Sequence, residues 1–505
     1  MDVLSEAGPA ADRRRIPATA LILLLLAALW CIVWFLHARG YWEDDAYIHL
    51  EFARSVAEGH GFAFNGTVVY GDTSPLWVWL LVGFHHLIPG WLTAGKTLVA
   101  LAAVLSLAGA FFFARSLTLD LPRSRSFTFA AAMVLLFATN PYFGYWAYSG
   151  MEPLAAAGLV CWACVAIAPA QLSTRRFLLS AFLAGIAPLL RPEMGFFTVL
   201  LGLVLLDRLV KKPAPITRRV AELIAGLLLI AAPGIAWGLY ALHTFGRILP
   251  NTDAAKRAGP GESVMVRLFD VYGLGFPLVL IGVALLIVWL VIRYSRGKGS
   301  VAGPRLIPLL HAGGWIIFLW TAISCIFYIA NHTYVQTRYI FVSAPILTIA
   351  LLALALKLSP RLYRAGLIFG LLFGIAISLD ATWPLIHNKV GIDRGYAALA
   401  AFFDTLPPNA PVAHYSIGEA AFLSRHPLVD TGGITRPGII PYMWDPTDAR
   451  RLAWIHSQGA RYIVIDHQPE PGATLVWYRQ IPTSGWFLNR HRYAERDTLE
   501  VWKLP

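Results

Sequence analysis

The chain has 505 residues, 57% of them hydrophobic and 14% charged, with a net charge of +12 and a mean hydropathy of +0.60. Soluble domains run at roughly 45–50% apolar and about 25% charged, so this balance excludes a soluble globular protein and marks an integral membrane protein with many spans. Surplus Lys and Arg in such a protein gathers in cytoplasmic loops and sets orientation, so the positive charge does not point to nucleic acid.

In chain order, Arg13, Arg14 and Arg15 precede an apolar run over about 16–36. The run is long enough to cross a hydrocarbon core of about 30 Å, and no small-residue cleavage site follows it. It reads as a retained first span with the N-terminus in the cytoplasm, which places Glu43, Asp44 and Asp45 on the far side. These three acids open a polar stretch from Tyr41 to Ser74. Adjacent, partly desolvated carboxylates resist joint ionisation, which raises one pKa towards the range of a general base. They equally suit the cap and first turn of a helix in a solvated loop.

The apolar segment 76–88, which carries His85 and His86, is too short for an ordinary span. If it crossed, the basic loop from Arg115 to Arg125 would land outside, so it reads as an interfacial or re-entrant helix. Further spans are expected near 92–114, 126–139, 153–170, 177–190, 194–210, 220–242, 269–292, 306–330, 339–357 and 365–383. Basic clusters at Arg123/Arg125, Arg175/Arg176, Lys211/Lys212 with Arg218/Arg219, Arg293/Arg296/Lys298 and Lys357/Arg361/Arg364 fall at every second junction, as cytoplasmic loops should. The expected fold is thus an α-helical polytopic membrane protein of about eleven spans over 1–384, with the N-terminus inside and the C-terminus outside.

Cys31, Cys161, Cys164 and Cys325 all fall inside apolar runs and read as core packing, since one CxxC pair lacks the further ligands of a zinc site. From 385 to 505 the chain is polar. Strands are expected at 412–415 and 462–465, with helices at 394–405 and 446–457, which makes a small extracytoplasmic α/β domain. Its acids and histidines are scattered, so its expected role is acceptor binding rather than chemistry.

With this topology the polar residues at the outer ends of the spans form one population: Glu152 in Ser149–Glu152, Arg191 and Glu193 around Pro192, Asn251 in Pro250–Thr252 with Lys256, and Arg338 with Tyr339. Ionisable residues at membrane depth are costly and normally face a cavity or a partner. Taken singly, Glu152 would only favour a helix dipole and Arg191 with Glu193 would be a local ion pair. Taken together they suggest one polar site. Group transfer from a lipid phosphate fits it: a carboxylate deprotonates the incoming hydroxyl, and fixed cations hold the departing phosphate. No Gly-rich phosphate loop, HExxH or GxSxG motif competes for the role. Asn65-Gly-Thr67 and Asn331-His-Thr333 match glycosylation sequons.

The stretches Asp44–Ile48, Phe52-Ala53-Arg54, Gly59-His60-Gly61, Phe64-Asn65-Gly66 and Gly71–Trp77 resemble the first outer loop of the GT-C superfamily. They are most similar to the branch related to the terminal arabinofuranosyltransferases of actinobacterial cell walls. Ser149–Glu152, Leu190–Glu193, Pro250–Thr252 with Lys256, Thr337–Tyr339 and Gly418–Phe422 leading to Val429-Asp430 and Gly432-Gly433 extend the resemblance over nearly the whole chain. Pro153 after Glu152, Glu43 before the acidic pair and the short outer domain depart from the family pattern.

The resemblance implies an inverting glycosyltransferase of a bacterial plasma membrane, with its outer catalytic loop over about 37–91. A pentose such as arabinofuranose, or a hexose, would pass from a polyprenyl-phosphate donor to a glycan, lipid or protein acceptor of the envelope. Asp44 is the first choice for general base and Asp45 the second. Lys256, Arg338 and Arg191 would hold the phosphate, Glu152 and Glu193 would orient the sugar or those cations, and Asn251 and Tyr339 would line the donor site. Metal use is open: Glu43, Asp44 and Asp45 could ligate a divalent cation, yet a monophosphate donor does not strictly need one. The alternatives are a transporter or flippase of lipid-linked sugars, in which such charges form a translocation path, and an O-antigen ligase or polymerase. The latter would carry its long loop late in the chain.

Overall fold

The computed structural model describes residues 16–169, 171–257, 313–332, 336–443, 449–482 and 496–505. The first helix, α1 (Ala18–Ala38), is apolar on every side. Leu25, Leu29 and Leu36 stand more than half exposed along it, and Leu227, Leu228, Ile235 and Leu239 do the same on α10 (Ile216–Phe245). Apolar rows of this length belong in lipid, where they need no protein partner.

After α1 the chain turns into α2 (Asp44–Ala57), with Asp44 and Asp45 in its first turn, where acids meet the positive end of the helix dipole. Strands β1 (Ala63–Phe64) and β2 (Thr67–Val68) form a hairpin closed by Asn65 and Gly66, both at positive φ, the conformation a two-residue turn demands. The short α3 (Pro75–Leu87) begins with Pro75 at its first turn and has 13 residues, too few to cross a membrane. It coincides with the helix expected over 76–88.

The helical body continues with α4 (Trp91–Ser116), α5 (Arg123–Ala138), α6 (Pro141–Trp146), α7 (Pro153–Ile167), α8 (Thr174–Leu190), α9 (Gly195–Val210), α10 and α11 (Asn251–Arg257), then helices at Gly314–Ala330, Thr337–Phe341 and Ala344–Leu358. The expected span 269–292 and its following basic cluster lie outside the described residues. Each of the other expected spans overlaps a helix. Among the described residues, four helices qualify as spans by length and composition: α1, α4, α10 and the stretch Pro360–Phe403. Of the seven other expected spans, 269–292 lies outside the described residues and the rest fall on helices of 17 residues or fewer, short of the roughly 20 a crossing takes.

The composition change near 384 does not coincide with a break in the chain. Helix Pro360–Ile377 passes through a π segment, Ser378–Thr382, directly into helix Trp383–Phe403, so one rod joins the apolar body to the C-terminal domain. That domain has a five-stranded sheet in the order β4-β3-β5-β7-β6, comprising β3 (Val412–His414), β4 (Leu428–Asp430), β5 (Tyr462–Val464), β6 (Thr474–Pro482) and β7 (Arg496–Lys503). The pairs β3–β4 and β3–β5 are parallel, and β7 runs antiparallel to β5 and β6. Helices Ile417–Ser424 and Ala449–Ser457 flank it. The expected strands are β3 and β5. The helix expected over 394–405 is the end of Trp383–Phe403, and the one expected over 446–457 is described from Ala449.

Candidate active site

The three acids of the outer loop turn to three different partners. Glu43 accepts hydrogen bonds of 2.6 Å from the hydroxyls of Tyr41 and Tyr145 and lies 3.6 Å from Lys389 Nζ. Asp45 pairs with Arg338 at 2.5 Å. Asp44 reaches the outer domain and accepts from the backbone N–H groups of Gly418 (3.3 Å) and Glu419 (2.9 Å), at the start of helix Ile417–Ser424. Among the described residues no group of three or more His, Cys, Asp or Glu converges as metal ligands. The acids singled out for a cation thus point apart.

Burial pushes the Asp44 carboxyl up to about 7, reinforced by Asp45 and Glu43, while the two N–H groups act the other way. Burial, with Asp393 and Asp44 adding to it, lifts Glu419 to about 10. Glu419 therefore stays protonated beside Asp44 near neutral pH.

The approach of the two elements is set by Gly418. A Cβ there would overlap the carbonyl oxygen of Asp44. Gly418→Ala is expected to prise α2 from helix Ile417–Ser424, lower the melting temperature and abolish most activity. Accessibility of a cysteine introduced at position 44 would rise with it. A variant that melts like the parent would show that the two backbones are not in contact.

A second, buried network runs beside this pair. Arg191 donates to Glu152 and, at 2.6 Å, to Glu193. Glu152 also faces His49 Nε2 at 3.3 Å, and His49 Nδ1 meets Asp72 at 2.5 Å. The Tyr339 ring lies between the two guanidinium groups, 5.0 Å from Arg191 and 5.6 Å from Arg338, so it links this network to the Arg338–Asp45 pair. Burial opposes both charged forms, but each finds stronger partners. Arg191 and His49 hold Glu152 near 2, and Asp72 and Glu152 lift His49 to about 10.

Local structure explains the convergence. Glu152 occupies the N-cap position of α7, Arg191 follows α8 with extended backbone, and Arg338 sits on the short helix Thr337–Phe341. Asp72 is fixed by accepting the Ser74 N–H at 2.6 Å. The loop before Glu152 closes on Trp42 at Gly150, whose φ is +86° and where a Cβ would come within 2.5 Å of the Trp42 ring.

Of the residues singled out from sequence, Asp45, Glu152, Arg191, Glu193, Arg338 and Tyr339 share this cluster, and Asp44 adjoins it. Asn251 is engaged elsewhere: its N–H donates to Tyr70 O at 2.9 Å, its side chain to Ile434 O at 3.3 Å, and it accepts from Arg247 at 2.7 Å. The side chain of Lys256 lies outside the described residues. His49, Asp72, Lys389 and Glu419 were given no role by sequence reasoning, although Asp72 and Glu419 stand inside quoted motifs. The outer domain also does more than expected, since its backbone holds the Asp44 carboxylate.

An apolar groove of about 670 Å³ runs between α3, α4, α7 and α8, from Trp77 past Leu101 and Leu105 to Val165 and Arg176. Trp77 Nε1 donates to Gly150 O at 3.2 Å, which ties the head of the groove to the Glu152 loop.

No protein-family model and no curated protein matches the chain. Among solved structures it is similar to ArnT from Cupriavidus metallidurans bound to undecaprenyl phosphate, with 17% identity and a TM-score of 0.55 over 96% of this chain and 98% of that one. It is also similar to the apo state of ArnT, with 15% identity and a TM-score of 0.54 over 97% of this chain and 99% of that one. An oligosaccharyltransferase from Archaeoglobus fulgidus in the apo form aligns at 13% identity and a TM-score of 0.46, over 88% of this chain and 69% of that one. The likeness to ArnT is one of fold, and it spans nearly the whole chain. The arabinofuranosyltransferase branch is not singled out by these matches.

Proposed function

We propose that the chain is an inverting, membrane-bound glycosyltransferase that takes a sugar from a polyprenyl-phosphate donor and passes it to an acceptor hydroxyl at the outer membrane face. The observation that carries this reading is a carboxylate poised near neutrality, Asp44, next in the chain to Asp45 and its Arg338 partner, with an apolar groove tied through Trp77 to the loop that carries Glu152. ArnT, whose fold this chain shares, was solved with undecaprenyl phosphate bound, which supports a donor of that class.

In the proposed reaction the acceptor oxygen attacks the anomeric carbon, and its proton passes to Asp44. The bond from the anomeric carbon to the phosphate oxygen breaks, and the polyprenyl phosphate leaves with the electron pair. Arg338 is the cation best placed to receive that phosphate. Its partner Asp45 is about one-third exposed, so a phosphate can compete for the guanidinium, whereas Arg191 already holds two carboxylates. Arg191, Glu193 and Glu152 then fix the Tyr339 and Arg338 side, and Lys256 remains proposed as a second phosphate contact. Residues 1–384 supply donor site and base, and 385–505 supply the two N–H groups on Asp44.

The test is mass analysis of envelope glycans and of accumulated polyprenyl-phosphate sugars in a deletion strain, paired with transfer by the purified protein. One lipid-linked sugar should build up and one glycan linkage should disappear. A strain that accumulates sugar-loaded lipid on the cytoplasmic side, with transfer intact in lysed cells, would favour the transporter instead.

A further inference from the structure

The outer domain contains a cavity of about 340 Å³ at the carboxyl ends of β3 and β5, within the range of roughly 300–1,000 Å³ for small-ligand sites. The chain leaves β3 through helix Ile417–Ser424 to β4 on one side, while β5 on the other side leads on to β6 and β7. Parallel strands whose following connections diverge leave a crevice between them, and open α/β sheets bind their ligands there.

The floor of this crevice is His414, the last residue of β3. It is only 4% exposed, yet neither ring nitrogen has a hydrogen-bond partner among the described residues. Burial without a partner is costly for a donor and an acceptor alike, so the imidazole is built for something that arrives from outside. Burial holds its pKa down at about 3. The ring is therefore neutral, with one N–H to donate and one lone pair to accept, which is the complement of a hydroxyl group.

The walls add Ser416, Arg451, Asp466, Thr498 and Glu500. Asp466, which pairs with the lining His467 at 2.9 Å, and Glu500 stand with the Arg451 guanidinium, a mixed lining with acceptors that suit hydroxyl donors. Tyr415 is 54% exposed at the cavity and offers an aromatic face to the C–H side of a sugar ring. One wall is shared with the catalytic side: Tyr396 stacks on His414 at 5.7 Å, is hydrogen-bonded with Ser416 and lies within electrostatic reach of Asp44. Ser416 stands two residues before Gly418, whose N–H holds the Asp44 carboxylate.

We infer that this crevice is the acceptor subsite: it takes a neutral, polyhydroxylated sugar unit, anchored on His414, and presents a hydroxyl towards Asp44. Naming the ligand as acceptor rests on the glycosyl-transfer reading, whereas a sugar site at His414 stands without it.

The test uses the full chain in lipid nanodiscs on an array of unphosphorylated aldopentose and aldohexose glycosides and short oligosaccharides, with phosphorylated sugars beside them. The wild type should retain unphosphorylated sugars. His414→Phe, which keeps the stack on Tyr396 but removes both nitrogens, should weaken that binding about tenfold or more and raise the acceptor KM by a similar factor, with a smaller change in kcat. Tyr415→Ala, at an exposed position, should weaken binding in the same direction and decides the matter if His414→Phe does not fold. No sugar binding by the wild type, equal binding by both variants, or a preference for phosphorylated ligands would each overturn the subsite. Sugar binding without transfer from any polyprenyl-phosphate donor would instead sink the transferase reading and leave the subsite standing. Transfer without His414-dependent binding would do the reverse.

Discussion

Asp44→Asn is expected to lower transfer by about 10²–10⁴-fold, the usual cost of losing a general base, in a protein that still folds and binds donor. The Asn side chain keeps a carbonyl oxygen that can accept from Gly418 or Glu419, so the junction with helix Ile417–Ser424 survives. The sign of the pH dependence follows from the raised carboxyl. A base that titrates at about 7 is protonated and idle below that value and ionised above it, so kcat/KM should climb as the pH rises through about 7. The same limb should vanish from the residual activity of Asp44→Asn. Asp45→Asn should behave differently, altering donor binding through Arg338 and, because Asp45 helps to raise the Asp44 carboxyl, moving that limb to lower pH rather than removing it. Near-normal transfer in Asp44→Asn would put the base elsewhere, with Asp45 and Glu152 next in line.

Arg191→Ala should be among the most destabilising single changes in the protein. Arg191 is 4% exposed and its guanidinium is the partner of both Glu152 and Glu193. Removing one member of a buried ion pair leaves an uncompensated charge and costs roughly 3–5 kcal/mol, eased here by His49, which stays beside Glu152. The loss should appear in thermal or denaturant unfolding in detergent. It carries a pH signature as well. Glu152 is depressed in the folded wild type, so its contribution is complete above the ordinary 4.5 and fades as the pH falls towards about 2. Without Arg191 the folded-state value rises, so less stability is left to lose below 4.5 and the loss ends at a higher pH, and the gap between variant and wild type should narrow in acid. Unchanged unfolding would mean that the network is open to solvent.

Much of this organisation was legible in the sequence because it rests on local physics. Hydropathy marks the apolar helices, and the short apolar segment 76–88 was recognisable by length alone. Outer-end polar residues such as Glu152, Arg191 and Arg338 announced themselves because charge near lipid must find a partner. What escaped were relations between distant parts of the chain. Nothing near Asp44 says that its carboxylate meets the backbone of Gly418, because a backbone N–H carries no side-chain signature. His49 reads as one more residue of an amphipathic helix until Asp72 and Glu152 are seen on either side of it. Strand β6 was missed because its side chains are mostly exposed, so it lacks the apolar alternation that marks a half-buried strand. The boundary placed near 384 followed a change in composition, whereas the backbone continues through Pro360–Phe403 as helix.

The hydrogen bonds that seat Asp44 join residues 374 and 375 positions apart, and this fixes when the protein can first work. A ribosome that has released α2 and the apolar helices has made every charged group of the buried network up to Tyr339, but not the backbone that orients the base. Until helix Ile417–Ser424 has been made and folded, the carboxylate has no seat. On the proposed reading, activity therefore switches on only once helix Ile417–Ser424 has been made and folded, and a chain stalled or clipped before that helix would be inert.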